Sequence, residues 1–373
     1  MSEYVRIDPA RRSEAISMAR VICIMGIVYV HAWTGLTGPE FEALRGSAQD
    51  IMRWVMMDVF GRSAVPLLGL VSGWLVAGSS RVRNWGSHVA RKARTILLPM
   101  VLWNVLALIL ICGSGKLFNL QVPWPPSLSW VFQEVFILTR PPDMNVQMPF
   151  LRDLFLCMVL APMLVRWPGW ALACVLALTG VCHIFDLGAP IILRVSILFF
   201  FTLGILVRRS NLADRITQWP LILAALPFLI VMPIQLCLTL TRDWDMATPE
   251  ARELDLAVRI AAALAYWRVA WALTFSPLRQ TFLKIEPYMF FYFCAHLILM
   301  WLGGPLLGKV FGKLGSPLYP IYFLTQPFMV LAVIMPIGMA LTRYWPSAAD
   351  LLSGGRLTGE PRRKTIPAWP EGA

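Results

Sequence analysis

The chain has 373 residues, 58% of them hydrophobic and 14% charged, with a formal net charge of +12. A soluble domain is only about 45–50% apolar, so this composition excludes one and indicates an integral membrane protein. The positive charge sits in discrete loops between apolar runs, as membrane topology requires, and carries no nucleic-acid inference.

The runs are continuously apolar and rich in Leu, Ile, Met and Trp, which predicts helices and excludes a barrel of alternating strands. About ten spans are expected, at 16–35, 55–78, 95–112, 150–165, 169–186, 190–207, 219–240, 256–275, 288–307 and 318–341, each near the ~20 residues that cross the hydrocarbon. The expected fold class is all-α, a polytopic transmembrane helix bundle over 16–341. Residues 1–15 form a cytoplasmic N-terminal segment, and 342–373, rich in Gly, Pro and Arg, a disordered cytoplasmic tail. No small-residue cleavage site follows the first run, so it is read as a retained helix.

Basic residues mark the cytoplasmic side. Arg81, Arg83, Arg91, Lys92 and Arg94 follow span two, Arg208, Arg209 and Arg215 follow span six, and Arg279 and Lys284 follow span eight. The opposite side receives Glu40, Glu42 and Asp50, then Asp243, Asp245, Glu250, Glu253 and Asp255. Both termini are therefore expected in the cytoplasm. The seven cysteines are scattered, with no metal-ligand spacing, and read as packing residues.

Ionisable groups inside a span are costly and mark function by default. Arg20 and His31 share the first span eleven residues apart, a spacing that returns a helix to nearly the same heading ~16 Å along its axis. His31, beside Tyr29 and Trp33, suits a general base; a structural histidine bonded between helices is the competing reading, and Arg20 alone could snorkel to headgroups. Arg91 and Arg94 at the mouth of span three suit a phosphate-rich ligand, although a positive-inside loop carries such residues anyway. Gly69, Ser72 and Gly73 in span two permit close approach of a helix or ligand. Arg152 and Asp153 open span four as a charged pair, either bracing each other or lining a pocket. Tyr288, Tyr292 and His296 form a polar stripe on span nine, with Glu286 just before it. His88 and His183 read as incidental. No HExxH, GxSxG or P-loop is present.

Taken together, these elements resemble the membrane acyltransferase-3 family. Its first helix carries an Arg, ten residues, then a His, as Arg20 and His31 do. Its second helix ends in a phrase like that of Leu68 to Trp74. A basic R-x-x-R element leads into a proline-containing helix, as with Arg91, Arg94 and Pro99; Pro149 to Leu154 (PFLRDL) is similar to one branch's W-F-L-R-D-L; and Tyr292 and His296 approximate a late Y-x-x-H. The resemblance covers about 12–341. Ser17 stands where the family usually has an Asp, and Pro149 where it has a Trp.

The resemblance implies a multi-pass enzyme of the cytoplasmic (inner) membrane that takes an acyl-CoA co-substrate, acetyl-CoA foremost, and no metal. Its acceptor would be a hydroxyl of a cell-envelope glycan or lipid-linked saccharide. Arg91, Arg94, Ser72 and Gly73 would serve the donor, His31 and Arg20 catalysis, and Arg152, Asp153, Tyr292 and His296 the acceptor. A covalent acyl-histidine relay is an open variant. The alternative reading is a secondary transporter or flippase of a lipid-linked or anionic substrate, and a third is an inactive partner protein on the same fold. No repeat between the two halves favours the transporter.

Overall fold

The computed structural model describes residues 8–119, 122–241, 245 and 247–358. The described residues form helices and no strand: α1 (Pro9–Val30), α2 (Ala48–Ala77), α3 (Trp85–Phe118), the short α4 (Leu128–Phe136), α5 (Pro149–Leu164), α6 (Gly169–Ile184), α7 (Val195–Arg209), α8 (Leu221–Thr241), α9 (Pro249–Leu273), α10 (Arg279–Phe311), α11 (Tyr319–Tyr344) and α12 (Pro346–Ser353). Each expected span has its helix. Seven, α1, α2, α3, α8, α9, α10 and α11, are long and apolar enough to cross a membrane. The other three, α5, α6 and α7, have 16, 16 and 15 residues, shorter than the ~20 a full crossing takes.

Beyond its polar first turns and Arg20, α1 is apolar on every side, and it lies at the centre of the bundle, touching α2, α9, α10 and α11. A helix hydrophobic on every side must be enclosed by other helices or by lipid, and here Met18, Val21, Cys23 and Val28 are fully enclosed by protein. α8 is the opposite case: Ile222, Leu229 and Ile230 are more than half exposed, an apolar face of the kind that meets lipid in a membrane-spanning helix. Close crossings need small residues. A Cβ on Gly73 would collide with the Phe201 carbonyl of α7, and one on Gly204 with the Leu70 carbonyl of α2, so these two glycines set the α2–α7 approach.

Both α2 and α3 carry a π-helical turn, at Met57–Arg62 and Ala93–Leu97. In α3 the cause is local. Pro99 has no N–H to offer the carbonyl four residues earlier, and that carbonyl, on Thr95, accepts instead from Arg356 Nη1 at 2.9 Å.

Arg356 belongs to a stretch expected as disordered tail. α11 continues to Tyr344, and α12 then folds back on the bundle, where Trp103 Nε1 donates to Leu352 O (2.9 Å) and Arg94 pairs with Asp350 (3.2 Å). Local composition hid this, because the apolar groups that dock α12 find their partners about 250 positions earlier in the chain. Residues 1–7 and 359–373, which hold the remainder of the two expected terminal segments, lie outside the described residues, as does Asp243.

The two ends of the bundle differ in charge. At one end Arg12 pairs with Asp214 and Arg279 with Glu14, while Arg166 Nη2 donates to Arg83 O and Arg209 Nη2 to Val165 O. At the other end are Glu40 with Lys313 and Asp186 with Arg252. Asp50 and Asp255, expected in acidic loops, instead lie on helices and are buried, paired with Arg53 and Arg259.

Candidate active site

α1 ends at His31. The residue is the helix C-cap, its N–H bonded to Val28 O at 3.1 Å, so the imidazole leaves the bundle axis where the helix stops. It faces a cavity of about 580 Å³ bounded by α1, α2, α6, α9, α10 and the segments before α5 and α7. No hydrogen bond to its ring exists among the described residues, which leaves both nitrogens available to a ligand.

Behind His31 stands His296 of α10, ring centroids 5.5 Å apart. His296 is completely buried, and its Nδ1 lies 2.7 Å from Phe293 O. A carbonyl only accepts, so Nδ1 carries the proton and Nε2 is a lone pair. That Nε2 has no hydrogen-bond partner among the described residues.

One tier lower on the same two helices, Arg20 Nη1 bonds Glu286 Oε1 at 2.9 Å. The parallel helices α1 and α10 are thus joined twice, by an ion pair toward the basic end and by a histidine pair toward the opposite one. The expected depth between Arg20 and His31 is preserved, and the guanidinium is committed to Glu286. Arg356 lies beside this pair with its guanidinium 3.8 Å from the Phe290 ring centre; desolvation, then the charge of Arg20, lower its pKa to about 10.

The cavity wall is rich in arginine. Arg62, Arg194, Arg252 and Arg259 line it, against the carboxylates Asp186 and Asp255. His183, expected to be incidental, also lines it, with Nε2 3.4 Å from Asp255. Arg152 and Asp153 fasten this wall. They bond each other at 2.6 Å; Arg152 Nη2 holds Leu138 O and Pro190 O, and Asp153 Oδ2 accepts the Arg194 N–H at 2.7 Å. Of the two roles open for the pair, bracing is the one these bonds describe.

A buried amide network closes the inner side. Asn104 Nδ2 donates to Val135 O, Asn145 Nδ2 to Asn104 Oδ1, and Gln147 Nε2 to Cys294 O. Gln147 borders the cavity, and its Oε1 has no hydrogen-bond partner among the described residues. The loop that delivers it is drawn in by Glu134 of α4, which accepts from the N–H groups of Asp143 (2.8 Å) and Met144 (3.1 Å). Burial pushes the Glu134 carboxyl above its ordinary pKa against these bonds.

The remaining candidates are dispersed. Arg91 Nη2 lies 3.3 Å from His88 Nδ1, and Arg94 pairs with Asp350, so the two guanidinia turn to different partners at the basic end. Ser72 Oγ returns to Leu68 O of its own helix at 2.7 Å, and Gly73 is filled by α7, which gives both to helix packing. Tyr292, fully buried, bonds Pro327 O at 3.0 Å and its ring stacks near His296. Sequence reasoning missed Arg62, Gln147, Arg194 and Arg259. Gln147 and Arg194 sit in connections, where a polar residue is unremarkable, while Arg62 lies at the π-helical turn within α2 and Arg259 within α9, each close to the start of an expected span; Gln147, two residues before PFLRDL, was the nearest to a signal.

Residues 13–345 match the acyltransferase-3 family, described as an acyltransferase domain. Over 389 aligned residues the chain is 28% identical to the succinoglycan biosynthesis protein ExoH of Rhizobium meliloti (strain 1021), with 98% of this chain and 97% of that protein covered. No solved structure matches.

Proposed function

The chain belongs to the membrane acyltransferase-3 family, and from that premise we propose that it moves an acyl group, acetyl or a related one, from acyl-CoA to a hydroxyl of a cell-envelope glycan or lipid-linked saccharide. The basic end faces the cytoplasm, with both termini, since short loops rich in Lys and Arg are retained there. The similarity to a succinoglycan biosynthesis protein supports a saccharide acceptor.

The observation that carries this reading is His31, unbonded at the end of α1 in a cavity of about 580 Å³. Its base role needs only hydrogen-bond reach of an acceptor hydroxyl. The hydroxyl oxygen attacks the thioester carbonyl as His31 takes its proton, forming the C–O bond. Collapse breaks the C–S bond, and the proton passes to the departing thiolate to give free CoA. The C-terminus of α1 favours the transient imidazolium, and the cavity arginines are the groups placed to meet developing negative charge. Arg20, held by Glu286 one tier down, orients the donor passage and does not touch the reacting carbonyl. Arg91, Arg94 and Arg356 supply cationic donors for CoA phosphates at the cytoplasmic mouth.

Thermal unfolding of the detergent-solubilised protein with free CoA and a panel of acyl-CoAs tests the donor. At ~100 times its dissociation constant a ligand that binds only the folded state adds about 2.7 kcal/mol. A rise in Tm with a thioester, lost in Arg91→Ala/Arg94→Ala, is expected. No rise with any of them contradicts the transferase reading and favours a transporter.

A further inference from the structure

Three of the four arginines on the cavity wall have a carboxylate: Arg62 has Asp58 at 3.2 Å, Arg252 has Asp186 at 2.9 Å, and Arg259 has Asp255. Arg194 has none among the described residues. Its Nη2 donates to Val146 O at 2.8 Å, and Asp153, the nearest acid, is spent on the Arg194 backbone N–H and on Arg152. The side chain lines the cavity beside His31 and is exposed to it. A guanidinium there, with no carboxylate of its own among the described residues, is open to an anion, and its planar fork suits a two-oxygen group.

We infer that Arg194, with Arg62 and Arg252 around it, forms a subsite for an oxyanion carried by the substrate, so that the cavity beside His31 takes a negatively charged substrate portion. This rests on the proposed transferase reading. The oxyanion has two sources: the distal carboxylate of a dicarboxylic acyl chain, or an acidic group on the acceptor. Either way, the charge is held on the side of His31 away from Arg20, whose own charge Glu286 neutralises. A neutral acyl chain with a neutral acceptor would leave Arg194 unmatched.

The test compares paired probes at fixed ionic strength, reading dissociation constants from Tm shifts of the wild-type protein, Arg194→Gln and Arg194→Lys. The donor pair is acetyl-CoA and succinyl-CoA; the acceptor-side set is glucose, glucuronate and inorganic diphosphate. Free CoA is the reference for the nucleotide end. Wild-type protein is expected to prefer an anionic probe over its neutral counterpart by about tenfold, roughly the value of one charge-assisted hydrogen bond. Arg194→Gln abolishes the preference, and Arg194→Lys keeps part of it.

A preference within the CoA pair assigns the oxyanion to the acyl chain; one for glucuronate or diphosphate assigns it to the acceptor. Equal binding of anionic and neutral probes by the wild type overturns the subsite, as does a preference that survives Arg194→Gln. Should that variant not fold, Arg194→Met, which keeps the packing of the stem, takes its place. CoA binding without any anion preference removes the subsite alone, whereas anion preference without CoA binding removes the transferase reading alone.

Discussion

His31 and His296 meet across the α1–α10 contact with ring centroids 5.5 Å apart and planes inclined at 37°. The first opens on the cavity, and the second is completely buried, its Nε2 without a hydrogen-bond partner among the described residues. His296 packs against the back of the His31 ring, and in the proposed base mechanism its role is to fix that ring's position. Replacing His296 with Phe is expected to lower kcat by about 10- to 100-fold, part of the 10²–10⁴ that a general base contributes, with KM for the donor unchanged and the pH–rate profile displaced. An unchanged profile and rate would show that His296 merely fills space.

The ion pair one tier below predicts coupling between distant positions in the chain. Arg20 and Glu286 are 2.9 Å apart and both partly exposed, so a double-mutant cycle with Arg20→Ala and Glu286→Ala should return an interaction energy of about 0.5–3 kcal/mol. Thermal unfolding in detergent reads it. Strict additivity would mean that the pair does not join α1 to α10.

Arg356 and Pro99 predict an unusual rescue. Arg356→Ala leaves the Thr95 carbonyl without its donor, at a cost of about 1–3 kcal/mol. In a Pro99→Ala background the new backbone N–H can satisfy the same carbonyl, and the loss should shrink. An equal loss in both backgrounds would refute the assignment of Arg356 to that bond.

Gly73 predicts a purely architectural failure. Gly73→Val drives a side chain into the Phe201 backbone, and overpacking of this kind typically costs 1–3 kcal/mol or more. Tm should fall, and any lost activity should follow lost folded protein. A stable variant with weakened CoA binding would instead return Gly73 to the donor site.

The helices and the first pair of site residues were legible because the physics behind them is local. Twenty apolar residues need a bilayer, and a His or Arg inside such a run needs a reason. His296 was legible through its four-residue spacing from Tyr292. The cavity was not legible, because its wall forms only when Asp153 captures the Arg194 N–H and Glu134 draws in the loop bearing Gln147, contacts that no local pattern encodes. His183 read as incidental and Asp255 as an ordinary outer-loop residue for the same reason. α12 was hidden because a Gly-, Pro- and Arg-rich composition describes a tail equally well whether or not Trp103 is waiting for Leu352 O.

The central claim is that His31 is the base for acyl transfer. The most direct measurement follows label from an acyl-CoA into lipid-linked saccharide in membranes containing wild-type protein or His31→Ala, with matched amounts of folded protein confirmed by Tm. Transfer by the wild type is expected, with a loss of at least about 100-fold in the variant and CoA-induced stabilisation retained. Full transfer by His31→Ala would contradict that claim.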